Sequence, residues 1–380
     1  MKVLILSCHT GEGHNAAARA LKAQFDNLEI PCDIIDALCF GFKGKSALLS
    51  HGHTFVYKHL PRAFGATYAM LEMPKRHRTL PLLYRQGRRA AKRLCRFACE
   101  NGYDAVLCTH TFGAALMTEA KRYTQKNIPF YLVATDYTCY PALSKIKADA
   151  FFIAHKDLLW AFEAEGIPKE KLIPSGIPVA YAFESSLSKE EAAKALKLSL
   201  RTKKILLMGG SIGCGHMEKI ASLCANALKE GEELLVVCGK NERLRKALEK
   251  RHLPHTTAIG FTKQISLYMD ASDLFITKAG GLSTTEAAKK GLPMLFFDAV
   301  PGVETHNLRF FCQKGYAKSA LLEEQLSHTL RELLESPTAL ASMRQKMKED
   351  FSENATKIIC NHTIQKYNEA TLIGDETYEN

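Results

Sequence analysis

Twice along this chain a short apolar run leads directly into a glycine-rich turn and then a helical pattern. Lys2–Ser7 runs into Gly11-Glu12-Gly13-His14, and Lys204–Met208 runs into Gly209-Gly210-Ser211-Ile212-Gly213-Cys214-Gly215. A strand buried on both faces of a parallel sheet reads as a continuous aliphatic run. The missing Cβ atoms of the turn then let backbone N–H groups and the positive end of the next helix close on an anion. A tight strand-to-helix turn with no ligand is the plainer reading of each. Further runs at Cys32–Ile35, Ala105–Thr109, Phe130–Thr135 and Ala150–Ile153 complete one set of strands. Leu234–Cys238, Thr257–Ile259, Leu274–Thr277 and Met294–Phe297 complete a second. Helical patterns separate them, so the predicted class is α/β, with two doubly wound, Rossmann-like domains and an interdomain cleft.

A length of 380 residues suits two such cores. Pro174–Ser188 opens as Pro-Ser-Gly-Ile-Pro and ends in a capping Ser188, which predicts a linker near residue 180 and domains at 1–180 and 181–350. From Ser336 to Asn368 the pattern is helical with no strand, and residues 351–380 are expected to cross back to the first domain. The twelve cysteines occur singly, with no Cys-x-x-Cys pair and no Cys/His cluster, which predicts a reduced cytosolic compartment and no structural metal. The apolar run before Ser7 is about five residues, too short for a signal peptide, so any membrane contact is expected to be peripheral.

Charge is unevenly spread. Between Gly41 and Arg96 lie thirteen Lys/Arg and one acid, Glu72, a local net charge of +12 in a chain that totals +11. Phe55, Tyr57, Phe64, Tyr68 and Leu82 interleave with these charges. A basic, amphipathic surface of that kind suits anionic lipid headgroups. A solvated basic face and a nucleic-acid surface are the rivals, and no nucleic-acid motif accompanies it.

Five polar segments sit where strands end, the edge at which open α/β sheets bind ligands. His14 falls at the start of a helix whose inward stripe is Ala17, Ala20, Leu21 and Phe25. The positive helix end disfavours imidazolium there and suits a general base, although an isolated His is more often structural. Asp136, past its strand, is a second base, an orienting group for His14 or the acceptor hydroxyl, or a turn residue; Thr109-His110-Thr111 holds a comparable place. In the second half, Gly280-Gly281-Leu282-Ser283-Thr284-Thr285-Glu286 offers backbone amides and hydroxyls for a pyrophosphate and Glu286 for a ribose diol. Ser283 to Glu286 fits a capping box equally well. In Pro301-Gly302-Val303-Glu304-Thr305-His306-Asn307, Glu304 and Asn307 either grip sugar hydroxyls or are ordinary helix N-terminal residues. Gly11-x-Gly13-x-x-Ala16 with Asp36 also fits a dinucleotide fingerprint, which keeps an NAD(P)-dependent oxidoreductase open, and a membrane-binding scaffold without catalysis is the non-enzymatic alternative.

Taken together, the Gly11-Glu12-Gly13-His14 turn, the Thr135-Asp136 corner, the Gly209–Gly215 loop, the Gly280-Gly281…Thr284…Glu286 segment and Pro301-Gly302…Glu304…Asn307 resemble the monogalactosyldiacylglycerol synthase group of glycosyltransferase family 28. That relation also takes in the peptidoglycan GlcNAc transferase and bacterial diacylglycerol glucosyltransferases. The resemblance implies the GT-B architecture and inverting transfer of a hexose from UDP-glucose or UDP-galactose to a lipid hydroxyl. Diacylglycerol is the expected acceptor and a polyprenyl-linked one its rival, with no cofactor and no bound metal. It implies His14 as base with Asp136 beside it, and donor contacts from Gly210, Ser211, Gly213, Phe261, Gly280, Gly281, Ser283, Thr284, Glu286, Glu304 and Asn307. Gly13, Arg85, Arg88, Arg89, Lys92 and Arg93 are expected on the acceptor and membrane side, at the inner face of the cell membrane. Val303 stands where the family commonly has Gln, so both sugars remain open.

Overall fold

The computed structural model describes residues 1–8, 12–41, 87–124, 127–210 and 216–376. The chain forms two compact units, Met1–Ala180 with Glu353–Asn380, and Tyr181–Ser352.

In the first unit, β1 (Val3–Ser7), β2 (Cys32–Asp36), β3 (Ala105–Cys108), β4 (Phe130–Val133), β5 (Ala150–Ile153) and β6 (Leu172–Pro174) form one parallel sheet in the order β2-β1-β3-β4-β5-β6. The helices are α1 (Glu12–Asn27), α2 (Leu38–Gly41), α3 (Gly87–Glu100), α4 (Thr111–Ala120) and α5 (Leu159–Ala164), with a C-terminal helix at Ala355–Glu376. Order reverses between β1 and β3, so the loops after those two strands diverge to opposite faces and leave a crevice at their carboxyl ends. Val3, Ile5, Leu107, Tyr131, Val133 and Phe152 build the core from the sheet, and Ala18, Leu21 and Phe25 build it from α1. Ile359 and Cys360 of the C-terminal helix belong to the same cluster. His362, one turn on, sets its ring edge-to-face with Tyr131 and Phe152, with centroids 5.5 and 5.4 Å apart.

The second unit begins with α6 (Tyr181–Glu184) and α7 (Lys189–Ala195). Ser188 and Glu191 close a reciprocal capping box at the start of α7. Its strands are β7 (Lys203–Met208), β8 (Glu232–Val237), β9 (Thr256–Ile259), β10 (Leu274–Lys278), β11 (Met294–Asp298) and β12 (Ala317–Ser319), parallel in the order β12-β11-β10-β7-β8-β9. Around them lie α8 (Met217–Ala227), α9 (Glu242–Arg251), α10 (Ile265–Asp270), α11 (Gly281–Lys289), α12 (Val303–Gln313), α13 (Glu323–Leu334) and α14 (Pro337–Asp350). The reversal here falls between β7 and β10, the strands that feed the two glycine-rich turns. No helix among the described residues is long and apolar enough to cross a membrane.

Ile359 is fully buried in the first unit's core. Ile359→Ala is therefore expected to destabilise that unit by about 2–5 kcal/mol, read as a lower urea midpoint of the full chain. An unchanged midpoint would mean that the C-terminal helix contributes nothing to that core.

Candidate active site

The crevice of the first unit is built around one imidazole. α1 starts at Glu12, and Ser7 at the end of β1 donates its hydroxyl to Asn15 Oδ1 at 2.7 Å, a buried bond that pins the first helical turn to the strand end. His14 is thereby carried to the carboxyl ends of β3 and β4. Its Nδ1 lies 2.9 Å from the Thr109 carbonyl oxygen and 2.8 Å from Thr135 Oγ1. A carbonyl only accepts, so Nδ1 carries the proton and, in the neutral ring, Nε2 keeps its lone pair. Desolvation lowers the His14 pKa. The Asp136 carboxylate and the Thr109 hydrogen bond oppose that shift. Burial rather than the helix end is thus the leading cause of a neutral ring.

Asp136 does not hold His14 directly in this geometry; Tyr140 donates its hydroxyl to Asp136 Oδ2. The orienting bonds to His14 come from the Thr109 backbone carbonyl and the Thr135 hydroxyl. His110 packs against His14, ring centroids 4.6 Å apart and planes at 79°, while its own Nδ1 accepts from Phe112 N at 3.0 Å as the cap of α4. Gly13 occupies the first turn of α1. Asp36, which a dinucleotide site would place on a ribose, accepts a hydrogen bond from Leu38 N at 3.0 Å.

α3 presents Arg88, Arg89, Lys92 and Arg96 as an exposed basic face opposite its buried Ala90, Ala91, Leu94 and Ala98. Arg88 approaches Glu119 at 4.0 Å and Lys92 lies over the Tyr123 ring at 5.0 Å. Arg93 does not belong to that face. It is half-buried and donates to the Phe40 carbonyl, so it ties α3 to α2. Arg85 lies outside the described residues.

In the second unit, β7 ends at Gly209-Gly210 and β10 ends at Lys278. Gly210 has φ +79°, a left-handed conformation that favours glycine, and a Cβ there would meet Lys278 Cε at 2.8 Å, so the lysine side chain runs close across the turn. Ser211 and Gly213 lie outside the described residues. The pairing of β10 with β11 slips between Thr277 and Lys278, a local bulge that re-aims the lysine at the strand end. Lys278 Nζ forms a salt bridge with Glu304 Oε1, and Glu304 Oε2 accepts from Val300 N at 2.9 Å. Gly302, at φ +104°, supplies the turn that delivers Glu304 to the first turn of α12.

α11 begins at Gly281 with Gly280 as its cap residue, and no side chain caps it. The Ser283–Glu286 capping box is therefore absent: the helix starts before Ser283, and Glu286 lies well inside it. Thr284, expected at a pyrophosphate, is fully buried, and its hydroxyl donates to the Gly280 and Gly281 carbonyls at 2.8 and 3.0 Å. Asn307, expected at a sugar, is also fully buried and donates to Ala279 O at 3.1 Å. Both residues support the glycine turn from below. Ser283 stays half-buried. Phe261 is 62% exposed, with Lys240 Nζ 5.6 Å from its ring centroid. Glu286 is half-buried, and desolvation alone pushes its pKa up to about 8.

Two Rossmann-like units of this topology, each with a glycine turn at its switch point, define the GT-B class. The same fold is found in MurG of Acinetobacter baumannii (TM-score 0.63, 18% identity, 96% of this chain and 99% of that one). It is found also in a UDP-GlcNAc 2-epimerase of Neisseria meningitidis bound to UDP-GlcNAc (TM-score 0.60, 16% identity, 96% and 100%). By sequence, residues 14–179 match the monogalactosyldiacylglycerol (MGDG) synthase family and residues 204–359 match the glycosyltransferase family 28 C-terminal domain. The chain belongs to glycosyltransferase family 28. A processive diacylglycerol beta-glucosyltransferase of Bacillus pumilus is 26% identical over 376 residues, 96% of this chain and 95% of its own length. One from Staphylococcus saprophyticus is 29% identical over 268 residues, 69% and 67%.

The Glu286 carboxyl stays protonated in the folded chain up to about pH 8 but ionises near 4.5 when unfolded. Between those values the folded state binds the extra proton, so stability falls as pH rises through that window and levels off above it. Glu286→Gln has no proton to lose. It is expected to melt with the parent at pH 4 and a few degrees above it at pH 8; a pH-independent difference would contradict a raised pKa.

Proposed function

We propose that the protein moves a hexose, with inversion, from UDP-glucose or UDP-galactose to the hydroxyl of diacylglycerol at an anionic membrane surface. The observation that carries the reading is the His14 tautomer: the Thr109 carbonyl holds the proton on Nδ1, and Nε2 is left as the base. The lipid hydroxyl donates to Nε2, and its oxygen attacks the anomeric carbon as the bond from that carbon to the diphosphate oxygen breaks. The electron pair leaves with UDP and the proton remains on His14. Asp136 stabilises the imidazolium that forms, in keeping with its upward pull on the His14 pKa. One direct displacement gives inversion.

On the donor side, Gly210, Ser211, Gly213, Gly280, Gly281 and Ser283 offer backbone and hydroxyl donors to the diphosphate, and the start of α11 adds its positive end. Glu286 accepts from the ribose diol, the exposed Phe261 ring offers a platform for the base, and Glu304 meets the sugar. The names of the relatives from Bacillus pumilus and Staphylococcus saprophyticus support glucose as the sugar and diacylglycerol as the acceptor. The exposed arginines and lysine of α3 support attachment to the inner face of the cell membrane, without nucleic acid as a partner.

His14→Ala is expected to lower turnover by roughly 10²–10⁴-fold, assayed with diacylglycerol vesicles and each labelled UDP-hexose, while UDP still protects the chain from thermal unfolding. Near-normal turnover would place the base elsewhere. Replacing Arg88, Arg89, Lys92 and Arg96 with Ser is expected to weaken sedimentation with phosphatidylglycerol vesicles, most at low salt, because the attraction is screened within about 10 Å at 0.1 M ionic strength. Unchanged sedimentation would remove the membrane role of that face.

A further inference from the structure

Lys278 was not marked by its residue type, yet the fold places it at the centre of the donor half. It stands at the carboxyl end of β10, against the switch point, aimed by a one-residue slip in its pairing with β11. Its side chain crosses Gly210, and its ammonium lies 4.0 Å from where a Cβ would stand on either Gly210 or Gly280. The two glycine turns thus flank one cation. That cation is paired with Glu304, and both side chains are largely withdrawn from solvent, at 14% and 8% exposure. In such a place a lone charge is costly, and whichever partner leaves must be replaced.

We infer that Lys278 is the residue that meets the donor's diphosphate, exchanging its salt bridge with Glu304 for the phosphate oxygens, and that the released Glu304 turns to the hydroxyls of the hexose. The inference rests on the donor-side reading above. The exchange balances only when both halves of the donor are present: the diphosphate satisfies Lys278, and sugar hydroxyls donating to Glu304 satisfy the carboxylate. UDP alone takes the lysine and leaves the acid with its Val300 N–H but without its cation. After transfer the hexose departs on the lipid, Glu304 regains Lys278, and UDP is weakened at the moment it must leave. The pair therefore separates intact donor from spent nucleotide without a second site.

The test is titration calorimetry of UDP and of uridine, which lacks the phosphates, against the full chain and three variants. Lys278→Met is expected to weaken UDP at least roughly tenfold while uridine changes by less than about twofold. Lys278→Arg recovers part of the UDP loss. Glu304→Gln, nearly isosteric, is expected to tighten UDP roughly tenfold, because the charged competitor for the lysine is gone, and to lower kcat as product release slows. Equal losses for UDP and uridine in Lys278→Met, or weaker UDP binding in Glu304→Gln, would make the pair a structural brace and overturn the inference. If the parent chain binds neither uridine nor UDP, the donor-side reading itself fails, an outcome distinct from a parent that binds both while its variants show no split.

Discussion

A parallel sheet ends all its strands in the same direction, and a reversal in strand order opens a crevice at that edge. In this chain the side chains with chemical competence are delivered to two such edges. In the first unit, β1 and β3 part at the reversal, and His14 reaches from the helix after β1 to the backbone after β3. In the second, β7 and β10 part, and Lys278 reaches from the end of β10 across the turn after β7. The aliphatic strands hold these termini in register through their pairing and core packing, so a geometry fixed deep in each sheet sets where a few polar atoms stand at its rim.

Burial then sets the charge of those atoms. Withdrawal from water disfavours whichever form is ionised, so one cause moves two groups in opposite directions: it lowers the imidazole of His14 and raises the carboxyl of Glu286. A neutral ring with a defined tautomer is a base before any substrate arrives. A carboxyl that is protonated when empty gains most from hydroxyl donors that favour its charged form, so the ribose contact proposed at Glu286 would be linked to proton release. Glu304, no less buried, lies beside an ammonium.

The strands of both sheets were legible because a strand covered on both faces has no alternation to hide it: the long aliphatic runs at β1, β5, β7 and β10 each form a strand. The edge strands β6 and β12 were not, since Leu-Ile-Pro is short and ends in proline and Ala-Lys-Ser is short and polar. The start of α11 was left open between two readings because glycine at Gly281 reads as a turn, although its lack of a side chain suits close packing in a first turn. Site residues divide along one line. Those placed by lying near a strand end, such as His14, were legible in position. Those whose role depends on which way a side chain turns were not, so Thr284, Asn307 and Arg93 look like ligand groups in sequence and bond inward in the fold. Lys278 is the converse, a largely buried cation beside both glycine turns, concealed as the last residue of a strand.

α11 also explains why the second unit holds buried ion pairs far from its glycine turn. At its carboxyl end Lys289 pairs with Glu184 at 2.6 Å, and Lys290 pairs with Asp270 at 2.8 Å and donates to the Ser185 carbonyl. All four charged side chains are at least nine-tenths buried. Such pairs return little net stability, because desolvation offsets most of the Coulomb attraction, but they tolerate few alternative arrangements. With its first turn braced by Thr284 and Asn307 and its last turn held by two ion pairs, a nine-residue helix has little freedom to slide or rotate. Glu286 projects from its middle. The ribose contact proposed for Glu286 requires two hydroxyls at hydrogen-bond distance, and a rigid helix meets that tolerance without ordering at the moment of binding.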